Sequence, residues 1–303
     1  MNTPLAGIFP PLVTPLSDRD ALDVAGFERL TGHVLGGGVH GLFLLGTTGE
    51  GPSLSQRLKV EVVERGCRLV GGRVPVMVGV TDPSFVDALA LAGRAAEAGA
   101  DAVVIAPPYY LPLSQPELAA YVERFAAASP LPILLYHIPS LTGVGFEPET
   151  VRRLLDVPKV IGLKDSGRDM TYQHTVRAIV AARPDFSLLV GPEELLAEAV
   201  LLGAHGGMCG GANMAPRLYV DLYLAASAGD LARVRELHDR VMSISDAIYS
   251  VGTSGSSYFL GLKCALAHLG LCDDLPAEPY ARFPLDKRHT VRERLRQVGL
   301  LTD

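Results

Sequence analysis

The sequence predicts an α/β chain: a parallel (β/α)8 barrel, the TIM-barrel architecture, with a helical extension at its C-terminus. Three observations carry this expectation. Eight short runs rich in Val, Ile, Leu and Gly recur along the chain, each apolar on both faces, as parallel strands covered on both sides are. Longer stretches rich in Ala, Leu, Glu and Arg separate them. After about residue 215 the runs stop and helix-like stretches follow one another directly.

The strand-like runs fall at 7–15, 41–46, 74–80, 102–107, 132–137, 160–165, 187–192 and 206–211. An open, doubly wound sheet is the alternative for the same count, but no GxGxxG follows the first run. Between the runs, 54–72 reads as a helix capped by Ser55. The stretch 84–100 places Phe85, Leu89, Ala92 and Ala96 at helical spacing, with Gly99 where a C-cap would stand. In 114–129, Ser114 and Glu117 form a capping-box pattern around Pro116 in the first turn. The barrel is expected over 1–225 and the extension over 226–303, as one compact unit without a linker.

Composition narrows the function classes. The 303 residues are 48 % hydrophobic and 20 % charged, with a formal net charge of −6. No run of Lys or Arg offers a surface for phosphates, so nucleic acid is not an expected partner. No apolar run is long enough to span a bilayer, and the proline-rich N-terminus lacks a signal peptide's basic start. Cys67, Cys209, Cys264 and Cys272 are widely spaced without a CxxC, the pattern of reduced, buried thiols in a cytoplasmic enzyme.

Barrel enzymes carry their catalytic groups at the C-terminal ends of the strands. The sixth run ends in GLKD, placing Lys164 at the tail of an apolar segment. Desolvation there favours the neutral amine, which attacks carbonyls. A lysine snorkelling beside Asp165 explains the same residues equally well. The fifth run ends in Tyr136, either a proton shuttle at the mouth or an aromatic of the core. After the second run, Gly46–Gly49 with Thr47 and Thr48 forms a nest suited to an anion, or an ordinary turn. Tyr109 and Tyr110 stand at the end of the fourth run, and a glycine-rich loop containing Met208 at the eighth. On one barrel, all of these converge on one mouth.

GTTGE at 46–50, YxxPxxTG at 136–143 and GLKD at 162–165 together resemble the dihydrodipicolinate synthase and N-acetylneuraminate lyase superfamily. The likeness covers nearly the whole chain, including a GxKxAL-type helix at 261–266 and the closing ERLRQVGLL. The resemblance implies a class I aldolase or lyase in which Lys164 forms a Schiff base with a 2-oxo acid such as pyruvate, without metal or other cofactor. It implies Tyr136 as the acid/base and Thr47 as a proton relay to Tyr110, the latter reaching in from a neighbouring subunit. Thr48 would hold the substrate carboxylate, and Met208 would add backbone contacts beside the imine. A homotetramer built as a dimer of dimers is implied as well.

The chain departs from the synthase pattern at Leu141, where an arginine would grip a second carboxylate. That favours a lyase for a 2-keto-3-deoxy sugar acid, N-acetylneuraminate or 4-hydroxy-2-oxoglutarate type of substrate. Gly191, at the end of the seventh run, is a further substrate-binding candidate, and the pair Glu193–Glu194 occupies the place of a polyol-binding Asp-Glu pair, although both glutamates also suit the start of a helix. Ser166 is placed to touch a substrate hydroxyl. His137 stands where asparagine is usual and has no histidine at ligand spacing. A dihydrodipicolinate synthase, a 2-keto-3-deoxy acid dehydratase and a non-catalytic binding barrel are the competing readings. A metal-dependent class II aldolase stands further off.

Overall fold

Along each parallel strand, alternate side chains point into the barrel or out toward the helices. The computed structural model describes residues 4–302. Residues 1–3, where the N-terminal segment begins, and 303, where the expected extension ends, lie outside the described residues. The strands are β1 (Gly7–Ile8), the hairpin β2 (Leu16–Asp18) and β3 (Ala21–Leu22), β4 (Leu42–Leu44), β5 (Val76–Gly79), β6 (Ala102–Ile105), β7 (Ile133–His137), β8 (Val160–Asp165), β9 (Ser187–Val190) and β10 (Gly206–Gly207). Eight of them form one parallel sheet in the order β1-β10-β9-β8-β7-β6-β5-β4. The sheet closes through a parallel bridge between Pro11 and Phe43, with the Phe43 N–H donating to Pro10 O at 3.0 Å. The fold is a TIM barrel with C-terminal helices.

The strands are mostly shorter than the runs, and two shrink to two residues each. The first run stops at Ile8 because Pro10 and Pro11 have no N–H to give a ladder. The eighth stops at Gly207, after which Gly210–Asn213 turns as a 3-10 helix.

The helices are α1 (Val24–Gly36), α2 (Gln56–Val70), α3 (Phe85–Glu97), α4 (Gln115–Ala128), α5 (Pro139–Thr142), α6 (Pro148–Leu154), α7 (Met170–Val180), α8 (Leu196–Leu201), α9 (Pro216–Ala228), α10 (Leu231–Tyr249), α11 (Ser257–His268) and α12 (Leu285–Gln297). Ser55 caps α2 through the Leu58 N–H at 3.1 Å, and Glu117 accepts the Ser114 N–H at 2.8 Å. The buried stripe of α3 is Ala88, Leu91, Ala92 and Ala95. Its predicted members Phe85, Leu89 and Ala96 are only half-buried, and Ala92 alone of the four lies in the stripe. Phe85 turns sideways onto Tyr121 and Phe125 of α4, with centroids 5.7 and 6.0 Å away. α9 runs through the boundary expected at 225/226 and ends at Gly229, whose left-handed backbone (φ +70) stops the helix. α10 then packs on α9, and α10, α11 and α12 pack on one another.

Two apolar clusters follow from the alternation. Phe9, Phe43, Met77, Val104, Leu134, Ile161 and Met208 fill the barrel interior. Leu44, Val78, Val103, Leu135, Leu163 and Val190 face the helix layer. Strand β8 breaks the alternation. Ile133 pairs with Val160, but Leu134 pairs with Gly162, so one residue bulges out of the register. Ile161 therefore points inward, Leu163 outward, and Lys164 inward again. Without the bulge the lysine would face the helices.

Candidate active site

Four non-glycine residues hold left-handed backbones, and all lie just beyond strand ends at one mouth: Leu45 and Glu50 after β4, Tyr110 after β6, Arg168 after β8. Such strain gathers where surrounding structure imposes it, often at working sites. The inward residues of β7 and β8 meet at the same mouth. Register pairs Tyr136 with Lys164, and the lysine Nζ lies 4.1 Å from the tyrosine ring centroid and 5.0 Å from that of Phe43. Both residues are buried, Lys164 at 4 % exposure. Asp165 and His137 face the opposite way, so Lys164 does not snorkel beside Asp165. His137 instead stacks on Tyr172 at 4.0 Å and accepts the Phe146 N–H at 3.1 Å. Burial lowers its pKa to about 4.

The Tyr136 hydroxyl is 3.3 Å from Thr47 Oγ1. Burial pushes the phenol's pKa up, but the Lys164 charge and hydrogen bonds with Thr47, Ser166 and Lys164 together bring it below the ordinary value. Ser166 Oγ packs so closely over Gly191 that a Cβ there would meet it at 1.9 Å, and Lys164 Cε at 3.2 Å. A side chain at Gly191 would push Ser166 off the tyrosine. Met208 lies in the barrel interior beside Tyr136, its N–H bonded to Val190 O at 2.8 Å.

The GTTGE loop turns tightly, the Glu50 N–H donating to Thr47 O at 3.0 Å. The N–H groups of Thr47 and Thr48 find no acceptor among the described residues. Thr48 Oγ1 lies 2.9 Å from the hydroxyl of Tyr258 on α11, a residue that sequence spacing did not single out. Glu50 is buried against Lys263 of α11 and accepts the Ala277 N–H at 2.7 Å. A cavity of about 600 Å3 opens here, lined by Thr47, Tyr136, Tyr258, Tyr109, Ile138 and Leu141 among others. Leu141 stands at its rim, 59 % exposed. Lys59, the only cation lining it among the described residues, is paired with Asp82 at 3.5 Å.

Of the remaining expected site residues, Tyr110 is exposed as a residue serving a neighbouring subunit would be, while Glu193 and Glu194 pair with the outer helices. Tyr110 is 92 % exposed and does not line its own chain's cavity. Glu193 turns away from the mouth, correcting the polyol-binding expectation: its carboxylate is saturated by Tyr219 (2.6 Å), Tyr249 (3.0 Å) and the Gly211 N–H (2.8 Å). Glu194 likewise turns aside, accepting from Ser245 of α10 at 2.5 Å. Both glutamates tie the loop after β9 to the outer helices.

A model of the Dihydrodipicolinate synthetase family matches residues 4–298. The chain belongs to that family. Dihydrodipicolinate synthetase-family proteins are lyases that act through a lysine Schiff base, and this chain is an enzyme of that kind. It is similar to a solved structure of dihydrodipicolinate synthase from Bacteroides thetaiotaomicron, with 52 % identity, a TM-score of 0.95, and coverage of 98 % of this chain and 100 % of that one. It is also similar to YagE from Escherichia coli K12, solved in complex with pyruvate, with 28 % identity, a TM-score of 0.93 and coverage of 98 % and 100 %. A third family relative is the probable 2-dehydro-3-deoxy-D-pentonate aldolase YjhH of E. coli, 34 % identical, covering 92 % of this chain and 91 % of that protein.

Proposed function

We propose that the enzyme reversibly cleaves a hydroxylated 2-oxo acid to pyruvate and an aldehyde. The observation that carries this reading is the inward-facing Lys164 against Tyr136, whose hydroxyl reaches Thr47. The Lys164 amine adds to the C2 carbonyl, water leaves, and a protonated imine remains. Tyr136, with its lowered pKa, takes the proton of the C4 hydroxyl. The C3–C4 bond breaks, the aldehyde leaves, and the electron pair moves into the imine to give an enamine. Protonation at C3 and hydrolysis release pyruvate and restore the lysine. The imine is itself the electron sink, so the cleavage needs no metal.

Thr48 and the free N–H groups of the GTTGE loop hold the 2-oxo acid carboxylate. Thr47 passes protons between Tyr136 and Tyr110 of a second copy. The exposed, left-handed Tyr110 fits that role in a homotetramer arranged as a dimer of dimers. The setting is cytoplasmic, and the small-molecule partner is pyruvate. The aldehyde fragment carries no carboxylate of its own, because Leu141 and the paired Lys59 leave the cavity without a cation for it. A synthase reading draws support from the Bacteroides relative, but it needs that missing cation.

Incubation with pyruvate, borohydride reduction and mass spectrometry test the proposal. An adduct on Lys164 is expected in the wild type and not in Lys164→Ala. A folded wild type without adduct sinks it. Release of pyruvate from a 2-keto-3-deoxy acid separates the lyase from a dehydratase, which would eliminate water and keep the carbon chain whole.

A further inference from the structure

We propose that Tyr258, supplied by the C-terminal extension, is a positioning residue that turns the Thr48 hydroxyl into a hydrogen-bond donor for the 2-oxo acid carboxylate. The inference rests on the function proposed above. Tyr258 lies in the first turn of α11 and reaches back across the mouth to Thr48 Oγ1 at 2.9 Å. Its ring is held edge-on by Tyr249, with centroids 4.6 Å apart. Its hydroxyl fills the space above Gly210, where a Cβ would meet it at 1.8 Å. Five residues along the same helix, Lys263 holds Glu50. Between these two grips, Thr14 Oγ1 donates to Gly49 O at 2.8 Å. The loop is thus fixed from Thr48 to Glu50, with two of its anchors, Tyr258 and Lys263, coming from α11.

The direction of the Tyr258–Thr48 hydrogen bond decides what Thr48 can do. A phenol is the stronger acid and an alkyl hydroxyl the better acceptor, so Tyr258 donates and Thr48 accepts. Burial raises the Tyr258 phenol further, which keeps its proton in place. The Thr48 proton is then free for a carboxylate held at the unpartnered N–H groups of Thr47 and Thr48. An apolar ring at 258 would leave Thr48 free to rotate and lose that orientation before substrate arrives.

The test is the pyruvate concentration dependence of Lys164 trapping by borohydride in wild type, Tyr258→Phe, Thr48→Val and the double variant. Tyr258→Phe is expected to raise the half-saturating pyruvate about tenfold. Its trapping rate at saturation should stay near wild type. Because Tyr258 acts through Thr48, the double variant should bind no more weakly than Thr48→Val. Gly210→Ala, which displaces the Tyr258 hydroxyl without removing it, should repeat the shift and serves if Tyr258→Phe does not fold. Unshifted saturation in Tyr258→Phe or, if that variant does not fold, in Gly210→Ala, or additive losses in the double variant, overturn the inference alone. A wild type that forms no adduct overturns the proposed function and this inference with it.

Discussion

In the proposed reaction Leu141 and Lys164 both act through charge. Lys164 works because its amine is inside the barrel, next to a tyrosine whose phenol is brought down by the lysine's own field. Leu141 works by carrying none. Placing a guanidinium there with Leu141→Arg should raise kcat/KM for condensing pyruvate with a carboxylate-bearing aldehyde by about 10- to 100-fold relative to a neutral one. Steady-state kinetics with the paired aldehydes measure this, and an unchanged ratio would remove Leu141 from the specificity argument. Lys164, Tyr136 and Thr47 were legible as residues at strand ends. For Glu193 two readings stood level, because acidic residues opening a helix look alike whether they face a cavity or, as here, two tyrosines from other helices.

Among the elements, β8 decides whether there is a site at all. Gly162 sits at its bulge, where an added Cβ would meet Ser187 O at 2.5 Å and Leu134 Cδ1 at 2.6 Å. The first is backbone and cannot swing aside. Gly162→Ala should destabilise the fold by about 1–3 kcal/mol in urea unfolding and cut pyruvate trapping at Lys164 in the remaining folded protein. Trapping at the wild-type level would show that the lysine's inward aim does not depend on the bulge. α11 is the second deciding element, since it holds the GTTGE loop through Tyr258 and the buried Lys263–Glu50 pair. It was readable only as one of the helix-like stretches that follow one another after about residue 215. The loop it grips lies more than 200 positions earlier in the chain, and no local periodicity records that contact.

Across the whole molecule, barrel and outer helices are joined through a titrating group. Glu193 is 3 % exposed, and burial pushes its carboxyl from 4.5 up to about 7, against hydrogen bonds from Tyr219, Gly211 and Tyr249 that favour the charged form. A folded pKa raised in this way gives stability that is complete below the unfolded value and is lost as pH rises through 7. The contribution should fall by about 2–3 kcal/mol between pH 5 and 8. Glu193→Gln removes the titration, so the stability difference between wild type and variant should shrink by that amount over the same range. Urea unfolding at pH 5, 6, 7 and 8 measures it. A difference independent of pH would mean that Glu193 is ionised throughout.

By itself the sequence determined the strand–helix alternation, the barrel it implies, the mouth where chemistry resides and the residue types gathered there. Those follow from local periodicity and from the order of motifs along the chain. Only the tertiary structure decided which way Lys164 faces, because one bulged residue reverses strand parity and the apolar run reads the same in either register. It alone decided that Tyr258 meets Thr48 and that Glu193 meets Tyr219 and Tyr249. A side chain's partners are set by the packing of distant elements, and the pattern around each residue carries no trace of them.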